Sequence, residues 1–217
     1  NHAIALLQKR VQRKRLSHLD LCYLQDTNNL DQHIENNHRT LHEDEKALIK
    51  HRLIVEGEYL INLSAKRILP RQLTEYEIRK IRESYLISLD NALIVKKIEE
   101  KTNHDVKAIE YYLKDKFKGT SLEDILEFTH FALTSEDVNN LAYGLMLSNS
   151  LERVLLPAAS KLVTKVKEFA KEYKSVPMLA RTHGQPAIPT TVGKEFKVFA
   201  SRFERQLAQL WDTKILV

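Results

Sequence analysis

The stretch from residue 151 to residue 174 constrains the fold of this chain more than any other segment. Its apolar residues recur at every third or fourth position, and lysine and glutamate fill most of the opposite face. A period near 3.6 residues predicts an amphipathic helix with one buried face. The 217 residues include only five glycines and five prolines, too few turn-forming residues for a many-stranded fold. The sequence therefore predicts an all-α protein with long helices.

Similar periodicity organises the rest of the chain. It predicts a helical stretch from about residue 41 to Pro70, a helix over 74–99 and a last helix from about Thr191 toward Leu216. Residues 17–40 are polar and weakly periodic, and no segment has a convincing strand pattern. The expected organisation is an irregular or helical extension over 1–40, an N-terminal helical domain over 41–125 and the start of a central helix bundle over 126–217.

Composition excludes several classes of protein. A single cysteine, Cys22, excludes an internal disulfide and favours a reducing, cytoplasmic compartment. No apolar run is long enough to span a membrane. The sequence has no Cys/His cluster with metal-ligand spacing, no glycine-rich phosphate loop and no nucleophile elbow, so we expect no metal site. The chain begins with Asn1 and not with Met, and we expect its N-terminus to be incomplete or processed.

The net charge of +5 originates in the first sixteen residues. They contain no acidic residue, and their cationic residues are Lys9, Arg10, Arg13, Lys14 and Arg15. Such a segment is either a solvated helical extension or an arm that contacts nucleic acid. We favour the extension, because no aromatic residue alternates with the charges to stack on bases.

Two polar segments lie where helices are predicted to begin. In TNHDVK (102–107), Asn103 or Thr102 fits the N-cap position, with Asp105 in the first helical turn. His104 then lies beside a helix N-terminus, where backbone N–H groups can hold an anion. Spacing alone favours plain capping with an incidental histidine.

The second segment, TSEDVNN (134–140), has the pattern of a helix start. Thr134 and Asp137 have the spacing of a capping box, and Ser135 adds a second hydroxyl beside free N–H groups. Such a helix start suits a phosphate or carboxylate, and it equally suits a helix end with no ligand.

The segment RTHGQPAIPTT (181–191) is the most specific of the three breaks. Pro186 and Pro189 forbid regular helix, and Gly184 permits a positive φ or close backbone approach. Thr190 or Thr191 can cap the next helix, with Glu195 near its first turn. His183 is thus fixed on a stiff loop, and histidine is the residue type whose unperturbed pKa near neutrality suits general acid or base catalysis. The alternative is a hydrogen-bonded structural histidine in a tight connection.

Together these segments resemble the fumarase/aspartase superfamily, and within it the bacterial type of adenylosuccinate lyase. The resemblance rests on TNHDVKAIEYYL, FTHFALTSEDVNNLAYGLML and ARTHGQPAIPTTVGKEF, which occur in the family's order, and on ALIKHRLIVEGEYLINL (47–63). It extends from about residue 41 to 205. It implies a mostly helical protein whose central helices form a bundle in a homotetramer, with active sites built from three subunits and no metal or organic cofactor.

The resemblance also implies a reaction and a set of site residues. Members of the family eliminate fumarate from adenylosuccinate, giving AMP, and from the succinyl-carboxamide purine precursor. By resemblance His183 is the acid that protonates the departing nitrogen. His104 is by resemblance a second catalytic residue, which lies near His183 and hydrogen-bonds the substrate. The implied substrate contacts are Asn103, Asp105, Thr134, Ser135, Thr182, Gln185 and Tyr23.

Two departures from the family pattern bear on activity. If LSHLDLCY (16–23) corresponds to the family's N-terminal motif, Cys22 replaces a nucleotide-binding arginine, and a thiol cannot make that charged contact. The family's catalytic base is a serine on a mobile loop beyond the position of Val217. We therefore expect the chain alone to lack turnover. The competing hypotheses are a catalytically incomplete fragment or pseudoenzyme, acting as a helical assembly or nucleotide-binding module, and a nucleic-acid binder that uses its basic arm.

Overall fold

A computed structural model of the chain describes residues 43–216, which divide into one unit that ends at Met146 and a second over Leu147–Leu216. The described part is helical apart from one β-hairpin, so the predicted all-α class is confirmed. The domain boundaries expected at residues 40 and 125 remain predictions. The expectations for the basic arm, Cys22 and Tyr23 lie outside the described residues.

The first unit is built around one buried helix. Helix α1 (Glu43–Ala65) packs against helices α2 (Glu75–Glu83), α3 (Leu89–Thr102) and α4 (Asp105–Phe117). A 3₁₀ helix (Glu123–Phe128) follows, and helix α5 (Ser135–Ser150) begins the next long helical stretch. The centre of α1 is covered on nearly all sides, and its fully buried side chains include Leu53, Leu60 and Leu63. Packing against α1 therefore holds the N-terminal ends of α4 and α5 in position.

The helix predicted over 74–99 is wrong, because the structure has two helices there. Thr74 and Glu77 form a capping box at the start of α2, and that helix ends at Glu83. Ser84 Oγ donates to Ile81 O at 2.6 Å, and Ser88 Oγ accepts from Asn91 N–H to begin α3. Serine hydroxyls compete with the helical backbone for hydrogen bonds, so two serines four residues apart end one helix and start another.

Arg71 ties the start of α2 to the 3₁₀ helix. Its guanidinium donates to Glu77 at 2.8 and 3.0 Å and to Asp124 at 2.6 and 2.9 Å. The hydrogen bond from Arg71 lowers the pKa of the Glu77 carboxyl from 4.5 to about 2. The Glu77 side chain is itself buried, whereas Arg71 is partly exposed.

Glu77 should therefore make the free energy of unfolding depend on pH at the acid end. A carboxyl with a lowered folded-state pKa contributes fully above about pH 4.5 and loses its contribution as the pH falls toward 2. We expect a contribution of roughly 1–2 kcal/mol, because solvent at Arg71 screens the pair. Urea unfolding of the wild type and Glu77→Gln measures it, since glutamine keeps the capping geometry. The difference should shrink toward acid pH, and a pH-independent difference would contradict this assignment.

The second unit consists of two helices joined by a hairpin. A π-helical turn (Leu151–Leu155) leads into α6 (Leu156–Glu172), and α7 (Val192–Asp212) packs against α6. Phe169 and Phe196 lie with ring centroids 5.6 Å apart between these two helices. Pro157 lacks an N–H group, and the π-helical turn before it changes the local hydrogen-bond register. The helix predicted over 151–174 is confirmed.

The segment between α6 and α7 is a hairpin, so the expectation of no strand is wrong. Strands β1 (Pro177–Thr182) and β2 (Gln185–Thr191) pair antiparallel, with Pro177 opposite Thr191 and Thr182 opposite Gln185. Proline is incompatible with the interior of a helix, but it is tolerated in edge strands. Both strands of a two-stranded hairpin are edge strands. Thr191 caps α7 by accepting from Lys194 N–H at 3.1 Å, as predicted.

The close approach of α7 to the end of α6 requires glycine at position 193. A Cβ atom there would lie 2.4 Å from Ala170 O and 2.5 Å from Lys174 Cα. Both obstacles are backbone atoms, so a substitution must displace the start of α7 or the end of α6.

Gly193→Ala is expected to destabilise the protein by about 1–3 kcal/mol through overpacking, although alanine normally favours helix. Urea unfolding measures this change. Gly119→Ala is the control, because a Cβ there meets no atom within 4 Å and the only penalty is its φ of +71°. A stabilised Gly193→Ala variant would contradict the described packing.

Candidate active site

The connection between α3 and α4 places His104, and not Asn103, at the helix N-cap. Asn103 adopts a left-handed φ of 50° as the C-cap of α3, and its N–H donates to Glu99 O at 2.8 Å. His104 is extended, and its Nδ1 accepts from Lys107 N–H at 3.2 Å. The predicted N-cap at Asn103 or Thr102 is therefore wrong. Asparagine tolerates the left-handed conformation that ends one helix within two residues of the next.

The TNHD and TSED segments meet through side chains. His104 Nε2 lies 3.3 Å from Ser135 Oγ, at the start of α5. His104 is also part of the lining of an open cleft of about 550 Å³, and the other lining residues are Lys96, Glu99, Glu100, Asn103 and Asp105. Two segments thirty residues apart in the chain are thus in contact at His104, one of the residues that line the cleft.

Asp105 occupies the first turn of α4, as predicted, and a buried arginine holds it there. Its Oδ1 accepts from Val106 N–H at 2.8 Å, and its Oδ2 pairs with Arg52 of α1. Burial alone would raise the pKa of the Asp105 carboxyl, but these two donors outweigh it and lower the pKa. Arg52 Nε also donates to Asn139 Oδ1 at 2.9 Å. One guanidinium of α1 therefore joins the first turn of α4 to the second turn of α5.

The capping box predicted at the start of α5 is confirmed. Thr134 N–H donates to Asp137 Oδ2 at 2.7 Å, and Asp137 N–H donates to Thr134 Oγ1 at 3.4 Å. Both side chains are engaged with each other, because the Thr134 hydroxyl also lies 2.8 Å from Asp137 Oδ2. Ser135 remains the hydroxyl of this helix start that faces His104.

A hydrogen-bonded pair of a partly buried histidine and a buried glutamate leads into this helix start, and the sequence interpretation missed it. His130 Nδ1 lies 2.5 Å from Glu56 Oε1, and Glu56 is 1% exposed. The hydrogen bond from Glu56 raises the pKa of His130, and burial raises the pKa of Glu56. His130 has a left-handed φ of 62°. A usable signal existed in α1, because Glu56 interrupts the apolar stripe of Leu53, Leu60 and Leu63 at helical spacing.

The second unit presents His183 at the tip of the hairpin. His183 and Gly184 form the two-residue turn, with φ values of 51° and 78°. Two successive positive φ values are typical of a type I′ turn, which matches the twist of paired strands. Thr182 and Gln185 flank the turn as its closing pair, and these side chains are exposed. The sequence-derived candidates thus form a cluster in the first unit and a turn in the second.

Among residues 43–216 no group of three or more His, Cys, Asp or Glu side chains could hold a metal ion. The helices of this part of the chain also include none with the length and apolar character needed to cross a membrane.

Comparison of the sequence with known proteins finds similarity to lyases. A family model described as Lyase matches residues 29–216. Adenylosuccinate lyase of Dictyostelium discoideum is 47% identical over 174 residues, which cover 76% of this chain and 37% of that protein. The Escherichia coli (strain K12) adenylosuccinate lyase is 42% identical over 179 residues, covering 79% of this chain and 39% of that protein. The chain thus spans less than two fifths of the length of these relatives.

Solved structures extend the comparison to the fold. A fumarate lyase from Mesorhizobium sp. BNC1 aligns with a TM-score of 0.58 at 17% identity, over 77% of this chain and 36% of that structure. The β-carboxy-cis,cis-muconate cycloisomerase of Acinetobacter calcoaceticus sp. ADP1 aligns at 0.60 and 20% identity, over 78% of this chain and 40% of that structure. These likenesses show the fold. The family model and the adenylosuccinate lyase relatives confirm the resemblance inferred from the sequence motifs.

Proposed function

The chain belongs to the lyase family, and on that premise we propose that the protein eliminates fumarate from adenylosuccinate, giving AMP. The same reaction would act on the succinyl-carboxamide precursor of purine synthesis. The contact of His104 with Ser135 supports this proposal most directly, because it brings together the TNHD and TSED segments. The identity to adenylosuccinate lyases over three quarters of the chain supports the choice of substrate.

The proposed reaction needs a base and an acid. A base removes the weakly acidic proton beside one carboxylate of the succinyl group, and the C–N bond breaks as an acid protonates the departing nitrogen. We assign the acid to His183. The type I′ turn presents its imidazole on a backbone that two prolines and a closing strand pair stiffen. By the family resemblance, the base is a serine on a mobile loop.

Polar groups at the starts of α4 and α5 fit an anionic substrate. Adenylosuccinate carries a phosphate and two carboxylates, which hydroxyl, amide and helix N-terminal N–H groups can hold. We assign substrate contacts to Asn103, Thr134, Ser135, Thr182, Gln185 and Tyr23, and a supporting role to Asp105. Both oxygens of Asp105 already accept hydrogen bonds, so its proposed share is to fix the helix start beside the substrate.

The family resemblance also carries proposals about assembly and setting. We propose a homotetramer whose active sites combine segments of three subunits, so that His183 and the His104 surface need not serve the same site within one chain. The proposed setting is purine biosynthesis in the cytoplasm.

A steady-state assay tests the proposed function. It uses the intact protein, by which we mean the full-length protein that contains these 217 residues. Fumarate should be released from adenylosuccinate, whereas argininosuccinate, which lacks the nucleotide, should yield none. Equal turnover of the two substrates would contradict the assigned specificity. Tight binding of adenylosuccinate without any fumarate would identify a non-catalytic relative instead.

A further inference from the structure

The two ring nitrogens of His104 have different partners, and these partners fix the tautomer. Nδ1 lies 3.2 Å from Lys107 N, and Nε2 lies 3.3 Å from Ser135 Oγ. A backbone N–H can only donate, so Nδ1 accepts and carries no proton. The proton of the neutral ring is then on Nε2 and points toward the Ser135 hydroxyl oxygen.

The competing partner of Nδ1 is the carboxylate of Asp105. Asp105 Oδ1 lies 3.7 Å from Nδ1, which is beyond hydrogen-bond distance. The Asp105 oxygens are engaged by Val106 N–H and by Arg52. A proton on Nδ1 would also face the Lys107 N–H and remove the N-cap of α4. The geometry therefore favours the tautomer protonated at Nε2.

We infer that His104 is a positioning residue that acts through Ser135 and transfers no proton itself. A hydroxyl has one hydrogen and two acceptor lone pairs. When Nε2–H donates to Ser135 Oγ, the Ser135 hydrogen is left to donate outward, toward an anionic oxygen of the substrate. Part of this inference rests on the proposed function, since the substrate is the succinyl nucleotide assigned above. The tautomer itself rests on the local geometry alone.

Nuclear magnetic resonance of the intact protein labelled with ¹⁵N-histidine tests the tautomer. The His104 signals are assigned by their loss in His104→Asn. For the neutral ring we expect the proton on Nε2 and an unprotonated Nδ1. A proton on Nδ1 would overturn the inference, whether or not the protein has lyase activity.

Kinetics of the intact protein test whether His104 acts through Ser135. Asparagine is a good N-cap but is too short to reach Ser135, so His104→Asn should keep the wild-type melting temperature. His104→Asn and Ser135→Ala should each lower kcat/KM roughly tenfold, the value of one hydrogen bond. The double variant should be no slower than the slower single variant, because both changes break one chain of hydrogen bonds.

Two kinetic outcomes would overturn the inference. One is a double variant in which the losses multiply, to roughly a hundredfold. The other is loss of one limb of the pH–rate profile in His104→Asn, which would identify His104 as the acid or base. Absence of fumarate release by the wild type would contradict the proposed function alone, and the tautomer measurement would still decide the local claim.

Discussion

His183→Asn is expected to lower kcat by about 10²–10⁴-fold, the usual contribution of a positioned general acid. The substitution removes the titratable ring but suits the backbone, because His183 has a φ of 51° and precedes Gly184 at 78°. Asn-Gly is the preferred sequence for a type I′ turn. The hairpin should therefore persist, and the loss of rate should report the chemistry of the imidazole. Rate measurements at saturating adenylosuccinate check this expectation.

Gly184→Ala is the matched control for the hairpin. It keeps the imidazole but places a Cβ at a positive φ, where only glycine is unstrained. Loss of activity in Gly184→Ala with normal activity in His183→Asn would show that the turn matters and the ring does not. That outcome would contradict the assignment of His183 as the acid.

Removal of Glu56 should have the largest effect on stability. Glu56→Ala is expected to lower the free energy of unfolding by about 3–5 kcal/mol, because it breaks a buried pair and leaves His130 without its carboxylate. Glu56 is 1% exposed, and the pair spans 2.5 Å. The loss should also disturb the loop that leads into Ser135. Chemical denaturation measures the change in stability.

A double-mutant cycle with His130→Asn isolates the pair, since asparagine tolerates the left-handed φ at this position. The double variant should be more stable than the sum of the single losses predicts. The pH dependence has a definite sign. His130 has a raised pKa, so its contribution is complete below about pH 6.5 and is lost as the pH rises through the folded value. Additive losses at every pH would contradict the described pair.

Local rules predicted much of the fold because they act within one or two helical turns. The apolar spacing of residues 151–174 and the caps at Thr134 and Thr191 each depend on neighbours at three or four positions. The break at Ser84–Ser88 was missed because the apolar period continues across it. The hairpin was missed because its strands carry prolines and no alternating apolar pattern.

The candidate site shows the same contrast between local features, which the sequence predicts, and tertiary contacts, which it does not. Its segments could be recognised from TNHD, TSED and THGQ, but their connections depend on the tertiary fold. Arg52 and Glu56 reach their partners from a helix about fifty to seventy residues away along the chain. The N-cap was misplaced because Asn103 and His104 both accept hydrogen bonds, and only the backbone conformation decides between them.

The central claim is elimination, and the identity of the products tests it most directly. Intact protein incubated with adenylosuccinate should yield AMP and fumarate in equal amounts, as quantified by mass spectrometry, and the same products should form far more slowly with His183→Asn. Cleavage of the other C–N bond of adenylosuccinate, by addition of water at the purine ring, would give inosine monophosphate and aspartate. Detection of that second pair, or of no product at all, would contradict the proposed lyase activity.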